Sequence, residues 1–142
     1  MKASILALVA AACSGGSSDS HSGTPSDDWQ LRSHIDEGQL CIETRGADVA
    51  VFVVLDDCLS GSCSRGLVGT CEASLVNDAT VQVTSSITWE DNVGPGVDCS
   101  SDCGIPMATC TLPGVPEGTY TFELGADSLE VTLPTTQPCL FL

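Results

Sequence analysis

The stretch TVQVTSSITWE, residues 80–90, alternates without a break, and that alternation constrains the fold more than any other feature of the chain. Val81, Val83, Ser85, Ile87 and Trp89 share one side; Thr80, Gln82, Thr84, Ser86, Thr88 and Glu90 share the other. A helix would scatter these two sets around its axis, whereas a strand places them on opposite faces. The β-branched content supports the same reading. Gly118 to Gly125 repeats the pattern, with Tyr120, Phe122 and Leu124 set against Thr119, Thr121 and Glu123. Leu129, Val131 and Leu133 then alternate with Glu130 and Thr132. The intervening Gly-Ala-Asp is a short turn, so a hairpin is expected over residues 118–134.

AVFVVL, residues 50–55, is apolar on both faces and suits a central strand covered on both sides. Weaker strands are expected at 39–45, 67–76 and 105–112, and no 3.6-residue apolar stripe follows residue 39. The expectation is an all-β fold: a disulfide-stapled antiparallel β-sandwich of about seven strands. The closing segment PGVPEGTYTFELGADSLEVTLP resembles the last hairpin of immunoglobulin-like or fibronectin-like modules. The chain departs from antibody-type domains because Trp89 does not stand between suitably spaced strand cysteines. Hydrophobic residues make up 42% of the chain but aromatics only 4%, so the core must rest on Val, Leu, Ile and Ala. Such a core leaves a thin margin for a domain of roughly 100 residues.

Cysteines can widen that margin. The chain has nine, and eight lie after residue 39: Cys41, Cys58, Cys63, Cys71, Cys99, Cys103, Cys110 and Cys139. Eight form up to four disulfides, whose pairing the sequence leaves open. A local clasp, Cys58–Cys63 or Cys63–Cys71, is one expectation. Zinc is the competing use, through the Cys99-x₃-Cys103 and Cys58-x₄-Cys63 spacings. Both histidines, His21 and His34, lie outside that region, which favours disulfides.

The ninth cysteine, Cys13, ends the stretch MKASILALVAAAC. Lys2, an apolar run from Ile5 to Ala12 and small residues before the cysteine have the layout of a cleaved export signal. The run is too short for a membrane-spanning helix, which needs about 20 apolar residues. The segment resembles a bacterial lipoprotein signal, with Ala10 where the family prefers Leu. That resemblance implies cleavage before Cys13 and lipidation of its sulfur. Ser14 at the second mature position implies sorting to the outer membrane of a Gram-negative envelope. Residues 14–28, SGGSSDSHSGTPSDD, carry almost no apolar side chain and read as a flexible linker. The expected organisation is a signal peptide over 1–12, a lipidated Cys13 with its tether over 13–38, and a β-sandwich over 39–142.

The formal charge of −15 excludes nucleic-acid binding, which depends on Lys and Arg neutralising phosphates. It also excludes electrostatic adsorption of the domain to anionic lipid. No GxSxG, HExxH or phosphate loop occurs, and neither histidine is placed for a buried triad, so no catalytic residue is assigned. Asp56/Asp57 and Glu90/Asp91 are the pairs that a carboxylate-based hydrolase could use. Asp56, Asp57, Asp91, Asn92, Asp98 and Asp102 are the residues that could meet around calcium. The long segment from Asp91 to Asp102 reads as a surface loop pinned by Cys99 and Cys103. These features point to a monomeric, non-enzymatic module without a cofactor, anchored to the membrane by lipid. It would display a binding or structural surface to an envelope or extracellular protein or glycan.

Overall fold

The computed structural model describes residues 28–135. The signal segment, Cys13, residues 14–27 and Cys139 lie outside them. Eight strands follow in order: β1 (Trp29–Ile35), β2 (Gln39–Arg45), β3 (Asp48–Val54), β4 (Ser64–Asn77), β5 (Thr80–Asn92), β6 (Met107–Leu112), β7 (Gly118–Leu124) and β8 (Asp127–Leu133). No helix occurs among the described residues.

β5 organises the larger sheet. One flank carries β4, antiparallel along nearly its whole length. On the other flank, β1 pairs antiparallel with Ser86–Asn92, and β7 pairs parallel with Thr80–Val83. β8 closes this sheet as the antiparallel partner of β7. The second sheet is β2-β3-β6, all antiparallel. The two sheets pack face to face through Val81, Val83, Ile87, Trp89, Phe122 and Leu124 of one and Ile42, Val49, Val51, Val53, Ala108 and Leu112 of the other. Full burial of such side chains contributes roughly 1.5–3 kcal/mol each, before entropy is counted.

The alternation of residues 80–90 is realised residue by residue, with Val81, Val83, Ser85, Ile87 and Trp89 all buried. β3 is the middle strand of its sheet, and both of its faces are shielded. Val49, Val51 and Val53 face the core; Ala50 and Val54 are buried on the other side, and Phe52 lies under the Arg45 guanidinium at 5.3 Å. The hairpin joins β7 to β8, and Gly125 in its turn has φ +56°. A Cβ there would also stand 2.5 Å from the Asp36 carbonyl oxygen, so turn and packing both require glycine. On β8 Leu133 is buried, Val131 is half-buried and Leu129 is exposed.

The strand count exceeds the sequence expectation by one, because residues 29–35, expected to belong to a tether over 13–38, form a strand. Trp29–Ile35 is a strand of the larger sheet. Its pattern is inverted: Arg32 and His34 share the inner face with Trp89 and Ile87, while Leu31 and Ile35 point to solvent. Apolar residues facing outward look like the wrong side of a strand until the inner partners of Arg32 and His34 are seen.

The bridges correct the expected local clasp. Cys63 pairs with Cys99 and Cys58 with Cys103, so neither Cys58–Cys63 nor Cys63–Cys71 forms. The segments around them run side by side in opposite directions, joined at Leu59 and Gly104. Each cysteine therefore meets one from the other segment. Cys71 on β4 is bonded to Cys110 on β6, stapling one sheet to the other with 5.1 Å between their Cα atoms. Cys41 is also disulfide-bonded.

Candidate functional site

The chain's polar and covalent hardware converges at the end of the sandwich where β3 and β5 finish and β6 begins. Residues 55–63 and 93–106 form two segments there, mostly exposed but with Leu55, Cys63 and Pro106 buried. Leu59 and Gly104 exchange backbone hydrogen bonds at 2.9 and 2.8 Å, and the Leu55 amide donates to the Pro106 carbonyl at 3.1 Å. The Ser100 amide donates to Ser62 Oγ at 2.8 Å, and Ser60 Oγ donates to the Ser100 carbonyl at 3.0 Å. The Gly61 amide donates to Asp102 Oδ2 at 3.0 Å. Hydrogen bonding from Ser100, with help from the Gly61 amide, holds the Asp102 carboxyl below its ordinary pKa. With the Cys58–Cys103 and Cys63–Cys99 bridges, these bonds make two loops into one rigid platform.

Beside the platform lies an open cleft of about 580 Å³, lined by Gly38, Gln39, Val54, Leu55, Asp56, Asp57, Ile105 and the Cys58–Cys103 bridge. Its floor is apolar. Its rim carries the two adjacent carboxylates of Asp56 and Asp57, both exposed.

His34 adjoins this rim. Its Nδ1 lies 2.9 Å from Glu37 Oε2 and its Nε2 lies 3.8 Å from Asp57 Oδ2. The imidazole stacks on the Trp89 indole, with centroids 5.3 Å apart and planes 5° from parallel. Trp89 Nε1 donates to Asp91 Oδ1 at 2.9 Å, and the same oxygen accepts from Ser64 Oγ at 2.8 Å. Arg32 Nε donates to Asp91 Oδ2 at 3.2 Å. One connected array therefore runs from Ser64 through Asp91, Trp89 and His34 to the carboxylates at the cleft.

The proposed calcium ligands do not converge in this arrangement. Asp91 is occupied by Trp89, Ser64 and Arg32, and Asp102 caps Gly61. Asp56 and Asp57 line the cleft, and Asp98 is exposed on the long loop. Among the described residues no three His, Cys, Asp or Glu side chains are grouped to hold a metal ion. Glu90 and Asp91 project from opposite faces of β5, Glu90 towards Arg65 at 2.7 Å, so they do not form a facing carboxylate pair. The groups at His34 are carboxylates on both ring nitrogens, not a hydroxyl or thiol.

The sequence alone does not point to His34, Glu37 or the role of Trp89, because the segment around His34 reads as part of a tether. The available signal was the alternation Trp-Gln-Leu-Arg-Ser-His-Ile over residues 29–35. No protein-family model, no curated protein and no solved structure matches this chain.

Proposed function

We propose that this is an exported, lipid-anchored envelope protein that displays a disulfide-stapled β-sandwich as a binding module, with the platform of residues 55–63 and 93–106 as its contact surface. The observation that carries this reading is the investment of two disulfides and a dense set of hydrogen bonds in two exposed loops. Loops fixed in advance lose little conformational freedom when a partner arrives. Exposed segments on a rigid scaffold are the usual location of recognition surfaces. Disulfides belong to oxidising compartments, which agrees with an export signal ahead of Cys13.

The test uses a photo-crosslinking residue placed in the native host cell at Ser101, on the platform, or at Pro113, at the opposite end of the sandwich. Discrete covalent adducts from position 101 and none from 113 are expected. Equal adducts from both, or none from either, overturn the assignment of the surface. Intact-mass analysis of membrane-extracted protein tests the anchor: a lipidated Cys13 as first residue is expected, and Cys13→Ala should leave the protein unprocessed or unlipidated. Deleting residues 14–27 should preserve the melting temperature and abolish the adducts, since a tether of this length offers on the order of 20 Å of reach.

A further inference from the structure

The cleft beside the platform combines an apolar floor with an acidic rim, and we infer that it receives a lysine or arginine side chain of a partner polypeptide. This inference rests on the binding-module reading and specifies the chemistry of its partner. The floor is made by Val54, Leu55, Ile105 and the Cys58–Cys103 bridge. Ile105 is 43% exposed, so an apolar surface stands open to solvent at this point. An aliphatic stem of three or four methylenes buries against such a floor while its charged head stays at the rim. Asp56 and Asp57 provide two carboxylates there.

Charge complementarity selects the cation. Among the described residues there is no lysine, and each arginine already has a carboxylate: Arg32 with Asp91, Arg45 with Glu43 and Arg65 with Glu90. Asp56 has no ion-pair partner among the described residues, and Asp57 has only the imidazole at 3.8 Å. The cleft therefore carries negative charge that no described residue fully neutralises. A carboxylate or phosphate ligand would be repelled, and a purely apolar ligand would leave the rim unmatched. A cationic head on an apolar stem satisfies both parts.

The probes are N-acetyl-lysine methylamide, its arginine counterpart and its norleucine counterpart, which keeps the stem without the charge. Each is titrated into isotopically labelled, exported, disulfide-intact protein and followed by amide chemical shifts. The expected result is saturable shifts at Gly38, Leu55–Cys58, Cys103 and Ile105 with lysine or arginine, and weaker binding of norleucine. Asp56→Asn should weaken binding about threefold to tenfold, the range set by loss of one charge near a partly exposed cation. Ile105→Ser should weaken it by removing the stem's contact, with Asp56 and Asp57 intact. Both positions are exposed, so an unchanged amide spectrum and melting temperature will certify the fold.

Shifts spread over the whole acidic surface and indifferent to both substitutions overturn the inference, as does norleucine binding as well as lysine. If position 101 still forms discrete adducts while the probes give no shifts, the binding-module reading stands and the cationic-side-chain inference fails. If the adducts are absent too, both fail.

Discussion

The Trp89 indole nitrogen reaches along its own strand to Asp91 Oδ1, 2.9 Å away, and this bond lets a large amphipathic side chain lie 97% buried at the end of the core. The carboxylate is held in turn by Ser64 and Arg32. Asp91→Ala removes the acceptor and leaves a buried N–H without a partner, a loss of roughly 1–3 kcal/mol. Asp91→Asn keeps an acceptor oxygen and should lose less. Chemical denaturation of both variants against the parent checks the order; equal stability of all three refutes it.

Ser85 offers the opposite sign. Its hydroxyl is buried in the face formed by Val81, Val83 and Ile87 and has no hydrogen-bond partner, while its backbone exchanges bonds with Asp36. Ser85→Ala keeps the backbone bonds and removes the unsatisfied hydroxyl. The melting temperature should rise, consistent with relief of about 1 kcal/mol. A fall would mean that the hydroxyl is satisfied in solution.

Gly69 on β4 lies directly against the start of β6, where one sheet meets the other. A Cβ there would clash with the Met107 carbonyl oxygen and stand 3.1 Å from the Ala108 Cα, both backbone atoms that cannot turn aside. Gly69→Ala should therefore cost on the order of 1–3 kcal/mol by forcing β4 away from β6. Amide exchange should report the change first at the Cys71–Cys110 staple. A neutral substitution would show that the sheets can separate freely.

The platform should loosen in acid. Asp102 has its carboxyl pKa lowered from 3.8 by Ser100 and the Gly61 amide. A group lowered on folding contributes above its unfolded value, and the contribution disappears as pH falls through the folded one. Hydrogen exchange at the Gly61 amide, corrected for intrinsic rate, should stay protected from neutrality down to the ordinary aspartate range and lose protection below it. Asp102→Asn should reduce protection at neutral pH and flatten the profile.

Cys41 is disulfide-bonded, and the chain leaving β8 is tied to its strand: the Thr135 amide donates to Thr44 Oγ1 at 2.9 Å. Cys139 comes four residues after Thr135 and is the expected partner. Peptide mapping without reduction should recover Cys41 joined to Cys139. Recovery of Cys41 joined to Cys13 would overturn this pairing and the lipidation of Cys13 together.

Strand character, hairpin and inner face were readable wherever local alternation coincided with burial, as at Val81–Trp89 and Tyr120–Leu124. Side-chain period is a local property of the extended chain, so it is written in consecutive residues. β1 escaped because its meaning depends on partners elsewhere. Arg32 and His34 face inward only because Asp91, Trp89 and Asp57 wait there, from segments distant in sequence. Disulfide pairing escaped for the same reason: Cys58 lies five residues from Cys63 but is bonded 45 residues away, to Cys103. The sequence by itself determined the all-β class, the core composition, the acidity and the even set of cysteines after residue 39. Tertiary structure alone decided which cysteines meet, which carboxylates are neutralised and where an apolar floor and an acidic rim share one cleft. Those outcomes depend on distances between residues far apart in the chain, and folding, not spacing, sets such distances.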